Sequence, residues 1–185
     1  MINARLETAA RLPSFRDAYR GRRCVVPADG FYEWRHEGGR RGEPFWYHHA
    51  DGSLLLMAGL YQDGDPQSVP KPPRDELRSA EPSSAHAITA ADRPAFTILT
   101  MAANDVVSPA HDRMPVVLSP EAARAWLEDP RFDPASAAVR AQFGRDLVAT
   151  PVSTRVNSAA HDGPECLEPP GPATAPAQLS LLTGV

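Results

Sequence analysis

Lysine is nearly missing from this sequence: Lys71 stands alone beside 18 arginines. Arginine matches the geometry of phosphate, although genome composition can produce the same bias. Cysteine is scarce as well. Cys24 and Cys166 are far apart and form no C-x-x-C pair, which argues against a zinc site and against a disulfide scaffold and fits a reducing cytoplasm. No apolar run reaches the roughly 18 residues of a membrane span, and no basic segment followed by an apolar stretch marks a secretory signal. Neither G-x-G-x-x-G nor G-x-x-x-x-G-K-[ST] occurs, so no phosphate-cradling glycine loop is expected. A G-x-S-x-G nucleophile elbow is absent too. No metal cluster, cofactor signature or internal repeat is visible.

What remains reads as one globular domain. The chain has 185 residues, 42% of them hydrophobic and 23% charged, enough to bury a core. The net charge of −4 argues at first against nucleic acid, but the distribution matters more. Between Met1 and Arg23 lie Arg5, Arg11, Arg16, Arg20, Arg22 and Arg23, opposed only by Glu7 and Asp17.

Short helices are expected around Ala9–Leu12 and Phe15–Tyr19, interrupted by Pro13. Cys24–Pro27 and the aromatic Phe31–Trp34 read as strands joined by an Ala28-Asp29-Gly30 turn. Pro44–His48 and Leu54–Tyr61 suggest a hairpin turning at Asp51-Gly52. Residues 62–94 are proline-rich and read as a surface loop. Phe96–Thr100, Pro115–Leu118 and Leu147–Val152 read as further strands. Ser119-Pro120-Glu121 opens a helix running to about Glu128, with Ser119 as its cap. A second helix is expected over 135–143, and a frayed tail over 169–185. The sum is an α+β domain around a mixed, barrel-like sheet with peripheral helices.

Three residues could carry chemistry. Glu33 lies between Tyr32 and Trp34. Aromatic neighbours would desolvate its carboxyl, raise its pKa and suit it to acid/base work. Strand alternation favours the opposite reading, with Glu33 in solvent and the aromatics inside. His111 lies in a loop just before a strand, a position suited to proton transfer; local pattern alone favours a surface histidine beside a turn-capping Asp112. The amide of Asn3 could orient a sugar or aldehyde oxygen, or belong to a frayed terminus. Cys24 and Cys166 are thiol candidates by chemistry alone.

The order and spacing of these segments add information. Asn3-Ala4-Arg5-Leu6-Glu7-Thr8 is similar to an N-A-R-x-E-T motif. Arg22 to Trp34 resembles R-R-C-x-x-P-A-D-G-F-Y-E-W. Ala58–Tyr61, Phe96–Thr100, His111–Val116, Val152–Asn157 and Pro164–Leu167 follow in the expected order. Together they resemble the SOS-response-associated peptidase (SRAP) family over residues 3–168, interrupted only by the proline-rich loop.

The resemblance implies a single α+β domain over 1–168 with a basic groove. It implies action on abasic sites in single-stranded DNA during the DNA damage response, by a monomer in the cytoplasm near the nucleoid. Glu33 matches the family's catalytic glutamate, His111 its catalytic histidine and Asn3 the asparagine that positions the reactive centre. Arg5 and Arg113 match phosphate-contacting arginines, and Thr100 a polar DNA contact. The family's nucleophile is an N-terminal cysteine whose amine and thiol form a thiazolidine crosslink with the opened sugar. An α-amine of pKa about 7.7–8.0 is partly neutral in the cell and so can attack.

Here the chain departs from the pattern. The family begins M-C-G-R and carries a longer segment before N-A-R-x-E-T, including R-W-G-L-I-P, whereas this sequence starts Met1-Ile2-Asn3. The nucleophile and some strands of the sheet are therefore expected to be missing, through a mis-assigned start, a truncated gene or a short protein with residual function. Met1 stands two residues from Asn3, a reach of at most about 7 Å, so its amine could form a plain Schiff base. The alternatives are an inactive fragment and a non-covalent single-stranded DNA-binding module. A peptidase acting on other proteins finds no independent triad, and the family's protease label then fits self-removal of the initiator methionine.

Overall fold

The computed structural model describes residues 2–36, 42–63, 94–136 and 143–171. The proline-rich loop, the helix expected over 135–143 and the tail lie outside these residues apart from their ends, as does Met1. In chain order the elements are β1 (Asn3–Arg5), α1 (Leu6–Ala9), α2 (Arg16–Gly21), β2 (Arg23–Ala28), β3 (Phe31–Arg35), β4 (Glu43–His49), β5 (Leu55–Gln62), β6 (Ala95–Ala102), β7 (Arg113–Pro115), β8 (Val117–Leu118), α3 (Pro120–Glu128) and β9 (Leu147–Pro151). Two 3-10 turns follow at Thr154–Asn157 and Pro164–Cys166.

The strands form two sheets. The larger runs β1-β6-β5-β2, with β7 added on β6 and β8 on β5; the smaller runs β3-β4-β9. The β1–β6 pair is parallel and the others are antiparallel, so the architecture is mixed α+β, as expected.

The large sheet curls because β5 and β6 part company. They pair only over Gly59–Gln62 and Ala95–Ile98. Beyond that point β6 takes β7 and β5 takes β8. Val116 sits in the wedge: its N–H donates to the Leu99 carbonyl and its carbonyl accepts from Ala58, each at 2.9 Å. The single strand expected over Pro115–Leu118 is thus two short strands with different partners. The side-chain pattern was strand-like throughout, but the partner changes at Val116.

The hairpin expected between residues 44–48 and 54–61 does not form. The turn itself is there: Gly52 has φ 75°, and Ser53 N–H donates to Asp51 Oδ1 at 2.9 Å. However, β4 is the central strand of the small sheet, occupied on both edges by β3 and β9. It has no free edge for β5, and the chain crosses to the other sheet. A turn signal specifies a reversal, not a partner. The same crossing happens at Asp29-Gly30, between β2 and β3.

One hydrophobic core joins both layers. Helices cover the large sheet, with Leu6, Ala9, Ala18, Tyr19 and Trp126 all buried. Ser119 caps α3 as expected, its Oγ accepting from Ala122 N–H at 3.2 Å. The Arg23 guanidinium binds the far end of α3. It lies 4.2 Å from the Trp126 ring and donates to the carbonyls of Tyr19, Trp126, Asp129 and Pro130. Among the described residues, no helix is long and apolar enough to cross a membrane.

Candidate functional site

Asn3 is strand, not frayed terminus. It pairs in parallel with Ile98, and Arg5 with Thr100, while Ala4 between them is 4% exposed and anchors the strand in the core. Period-two alternation then puts Asn3 and Arg5 on the face opposite Ala4.

Glu33 occupies the middle of β3, with Phe45 as its cross-strand partner. In an antiparallel pair, directly opposed residues share a face. Glu33 therefore lies on the side of Phe31, Phe45 and Tyr47, of which Phe45 and Tyr47 are buried. The alternation argument that would send Glu33 to solvent fails because the face it shares with Phe45 and Tyr47 is the core side, and every residue of β3 is half-buried. On the outer face Trp34 Nε1 donates to Asn157 Oδ1 at 2.6 Å, so the C-terminal turns roof that side. The approach to β3 is tight: a Cβ on Gly30 would overlap the Trp46 indole nitrogen and lie 2.6 Å from the Tyr47 carbonyl.

These strands meet at a cavity of about 430 Å³. Asn3, Glu33, Thr100, His111 and Arg113 all line it, over an apolar floor that includes Met57, Ile98 and Met114. Five of the six residues singled out from the sequence thus converge. Arg5 does not line the cavity; it is exposed on β1 beside Thr100. A larger hollow of about 570 Å³ lies by the Asp51-Gly52 turn, lined by His49, Arg145 and others. We regard the smaller cavity as the chemical one, because it brings an acid, an imidazole, an amide and a guanidinium together over an apolar floor, whereas the larger hollow has no amide side chain among its described lining residues.

Burial raises the Glu33 carboxyl above its ordinary value, and the nearby His111 charge partly offsets this. His111 is anchored by the backbone: Arg113 N–H donates to its Nδ1 at 2.9 Å. The Arg113 carbonyl lies 3.2 Å from the same nitrogen, so the tautomer sets whether Nδ1 accepts from the one or donates to the other. The same Nδ1 lies 3.3 Å from Asp112 Oδ1, a contact that becomes a salt bridge only in the imidazolium.

Arg113 is held by a residue that sequence reasoning passed over. Its Nη1 and Nη2 donate to Glu7 Oε1 and Oε2 at 3.0 and 2.9 Å, and Nη2 also reaches the Thr100 carbonyl. Glu7 belongs to the N-A-R-x-E-T segment, and that membership was the only signal available. The thiol candidates fall elsewhere. Burial raises the Cys24 thiol, and Cys166 is buried as part of the last C-terminal turn. Neither lines the cavity, and no lysine is among its described lining residues. Among the described residues, no group of three or more histidine, cysteine or acidic side chains could hold a metal ion.

The fold and cavity define a curled-sheet α+β domain with an acid–imidazole–amide pocket where two sheets meet. Residues 1–159 match the family model described as SOS response associated peptidase (SRAP), and the chain belongs to that family. It is 31% identical over 172 residues to the abasic site processing protein YoqW of Bacillus subtilis, covering 91% of this chain and 66% of the relative. Similarity to YedK of Escherichia coli is also 31% over 172 residues, covering 91% and 67%. The chicken (Gallus gallus) abasic site processing protein HMCES is 33% identical over 186 residues, with 90% and 49% coverage. A crystal structure of a Bacteroides thetaiotaomicron protein superposes with a TM-score of 0.65 at 25% identity, covering 90% of this chain and 65% of that one. A phage-related protein from Bordetella bronchiseptica gives a TM-score of 0.52 at 31% identity, with coverages of 83% and 64%. The chain thus spans just under two thirds of the Bacillus relative.

Proposed function

We propose that this chain processes abasic sites in single-stranded DNA, with the cavity between the two sheets receiving the damaged sugar. The observation that carries this is the convergence of Glu33, His111 and Asn3 on one half-buried pocket. A carboxyl whose pKa is raised by burial gives and takes protons more readily near neutral pH than an ordinary one. In this reading Glu33 shuttles protons as an α-amine condenses with the ring-opened aldehyde, releasing water to leave an imine, and as water hydrolyses that imine back to amine and aldehyde. His111 assists ring opening or strand elimination. Asn3 orients the sugar, and Arg5, Arg113 and Thr100 contact the DNA backbone. The reaction proceeds by covalent crosslinking with its reversal or by strand cleavage, as part of the response to DNA damage.

The test compares three labelled single-stranded oligonucleotides: one with a natural abasic site, one with its tetrahydrofuran analogue and one intact. The natural site alone offers an aldehyde. Crosslinking under borohydride, or strand cleavage, is expected only there. Equal behaviour on all three would remove catalysis from the reading. A second reading has its own support, since no cysteine or lysine is among the cavity's described lining residues. Under it the chain is a non-covalent DNA-binding module, and the natural site and its analogue bind alike with no product.

A further inference from the structure

We propose that Glu7 controls Arg113, holding its guanidinium paired against Thr100 in the free pocket and yielding it to a DNA phosphate only by exchange. The inference rests on the DNA reading above and goes beyond it. Its basis is the geometry of the fork. Both Nη atoms of Arg113 are committed to Glu7, at 3.0 and 2.9 Å, and Nη2 is shared with the Thr100 carbonyl and Oγ. Nε is buried without a partner. The two side chains are 19% and 35% exposed, so solvent only partly screens the pair. A phosphate cannot take both Nη atoms while the carboxylate keeps them.

The position of the pair adds to this. Glu7 lies in the first turn of α1, which follows directly on β1, the strand that carries Asn3, whereas Arg113 begins β7, two residues after His111. The ion pair therefore ties the arm holding Asn3 to the arm holding His111 across 106 residues of sequence. Glu7 is a positioning residue: it acts on the pocket through Arg113.

Exchange has an electrostatic signature that simple bracing lacks. When phosphate replaces carboxylate, the Glu7–Arg113 pair carries no net charge before binding, so Arg113 adds nothing to the salt dependence of binding. In Glu7→Gln the guanidinium is uncompensated. The slope of log K against log salt should then steepen by about 0.7, the value for one phosphate on a single strand. Between 50 and 200 mM salt that is roughly a 2.6-fold greater loss of affinity.

The experiment measures anisotropy of a fluorescein-labelled single strand carrying the tetrahydrofuran analogue, from 50 to 200 mM NaCl. The proteins are the unmodified chain, Glu7→Gln, Arg113→Gln and the double variant. Expected are a steeper slope and tighter low-salt binding for Glu7→Gln, weaker binding for Arg113→Gln, in which the Glu7 charge stands by the phosphate site without Arg113 to offset it, and a return to the unmodified slope in the double variant. An unchanged slope in Glu7→Gln, or weaker binding at every salt concentration, overturns the proposal. If Glu7→Gln does not fold, Arg113→Gln and the double variant decide it: exchange requires the double variant to bind more tightly, and equal affinities refute it. If the unmodified chain binds no DNA at all, the DNA reading falls, and this inference with it.

Discussion

Glu33→Gln should separate activity from stability, in opposite directions. Glutamine keeps the shape and polarity of the side chain but can neither release nor take up the proton. Losing a positioned acid/base group typically slows a reaction about 10²–10⁴-fold, or roughly 2.7–5.4 kcal/mol of barrier. Stability should move the other way. Burial disfavours the ionised Glu33 and raises its folded-state pKa above the ordinary value of 4.5. Between 4.5 and that raised value the folded protein binds more protons than the unfolded one, so this residue makes stability fall as pH rises. Below 4.5 both states are protonated and the effect is absent; above the raised pKa the desolvation penalty is fully present. The stability of Glu33→Gln relative to the unmodified chain should therefore be flat in acid, grow as pH rises through this window, and level off above it. Single-turnover cleavage of an abasic oligonucleotide reads the first effect; guanidinium unfolding at a series of pH values from 4 to 8 reads the second. DNA affinity should stay put. A variant that keeps its cleavage rate, or whose stability advantage shrinks with rising pH, would falsify the assignment of Glu33 as a buried proton carrier.

Three further outcomes follow from the packing. Arg23→Lys removes a fork that reaches several carbonyls and lies over Trp126; a lysine cannot span them, so about 2 kcal/mol should be lost, read as a Tm drop of roughly 4–8 °C. Gly30→Ala forces a methyl into the Trp46 indole and the Tyr47 carbonyl and should cost about 1–3 kcal/mol while lowering cleavage through Glu33, whereas Gly21→Ala, with nothing within 4 Å of its added Cβ, should be close to neutral in the same melts. Asn157→Ala leaves the Trp34 indole N–H without its 2.6 Å acceptor; a loss of about 1–3 kcal/mol in denaturant unfolding is expected, and a loss below 0.3 kcal/mol would show that water replaces the amide.

Local pattern made most elements legible but not their pairing. The start of α3 was readable to the residue because its cap, proline and first acid all carry start signals. Strands β2, β3 and β6 were readable from β-branched and aromatic runs. The parallel strand β1 was not, because three residues are too few for a period and its partner lies more than ninety positions away. The supposed hairpin and the undivided 115–118 strand failed for one reason. Backbone hydrogen bonds choose partners by which edges are free, and a sequence window does not contain that information.

The candidate site was legible in kind, though its assembly was not. Considered singly, Glu33 read better as a solvent-facing acid and His111 as a loop histidine. The ordered motifs grouped them, and the two sheet crossings give a physical reason for the grouping. At Gly30 the chain leaves the large sheet so closely under Trp46 that no side chain fits, and three residues later Glu33 faces the same interior as Phe45 and Tyr47. At residues 113–118 the parting of β5 and β6 turns the His111 loop toward the same space. Asn3 arrives on the edge strand of the curled sheet, held by Ala4 in the core and by Glu7 on Arg113. Each group therefore depends on a backbone feature at some distance from the chemistry. Disturbing Gly30, Val116 or Glu7 should alter proton transfer in the pocket before it unfolds the domain.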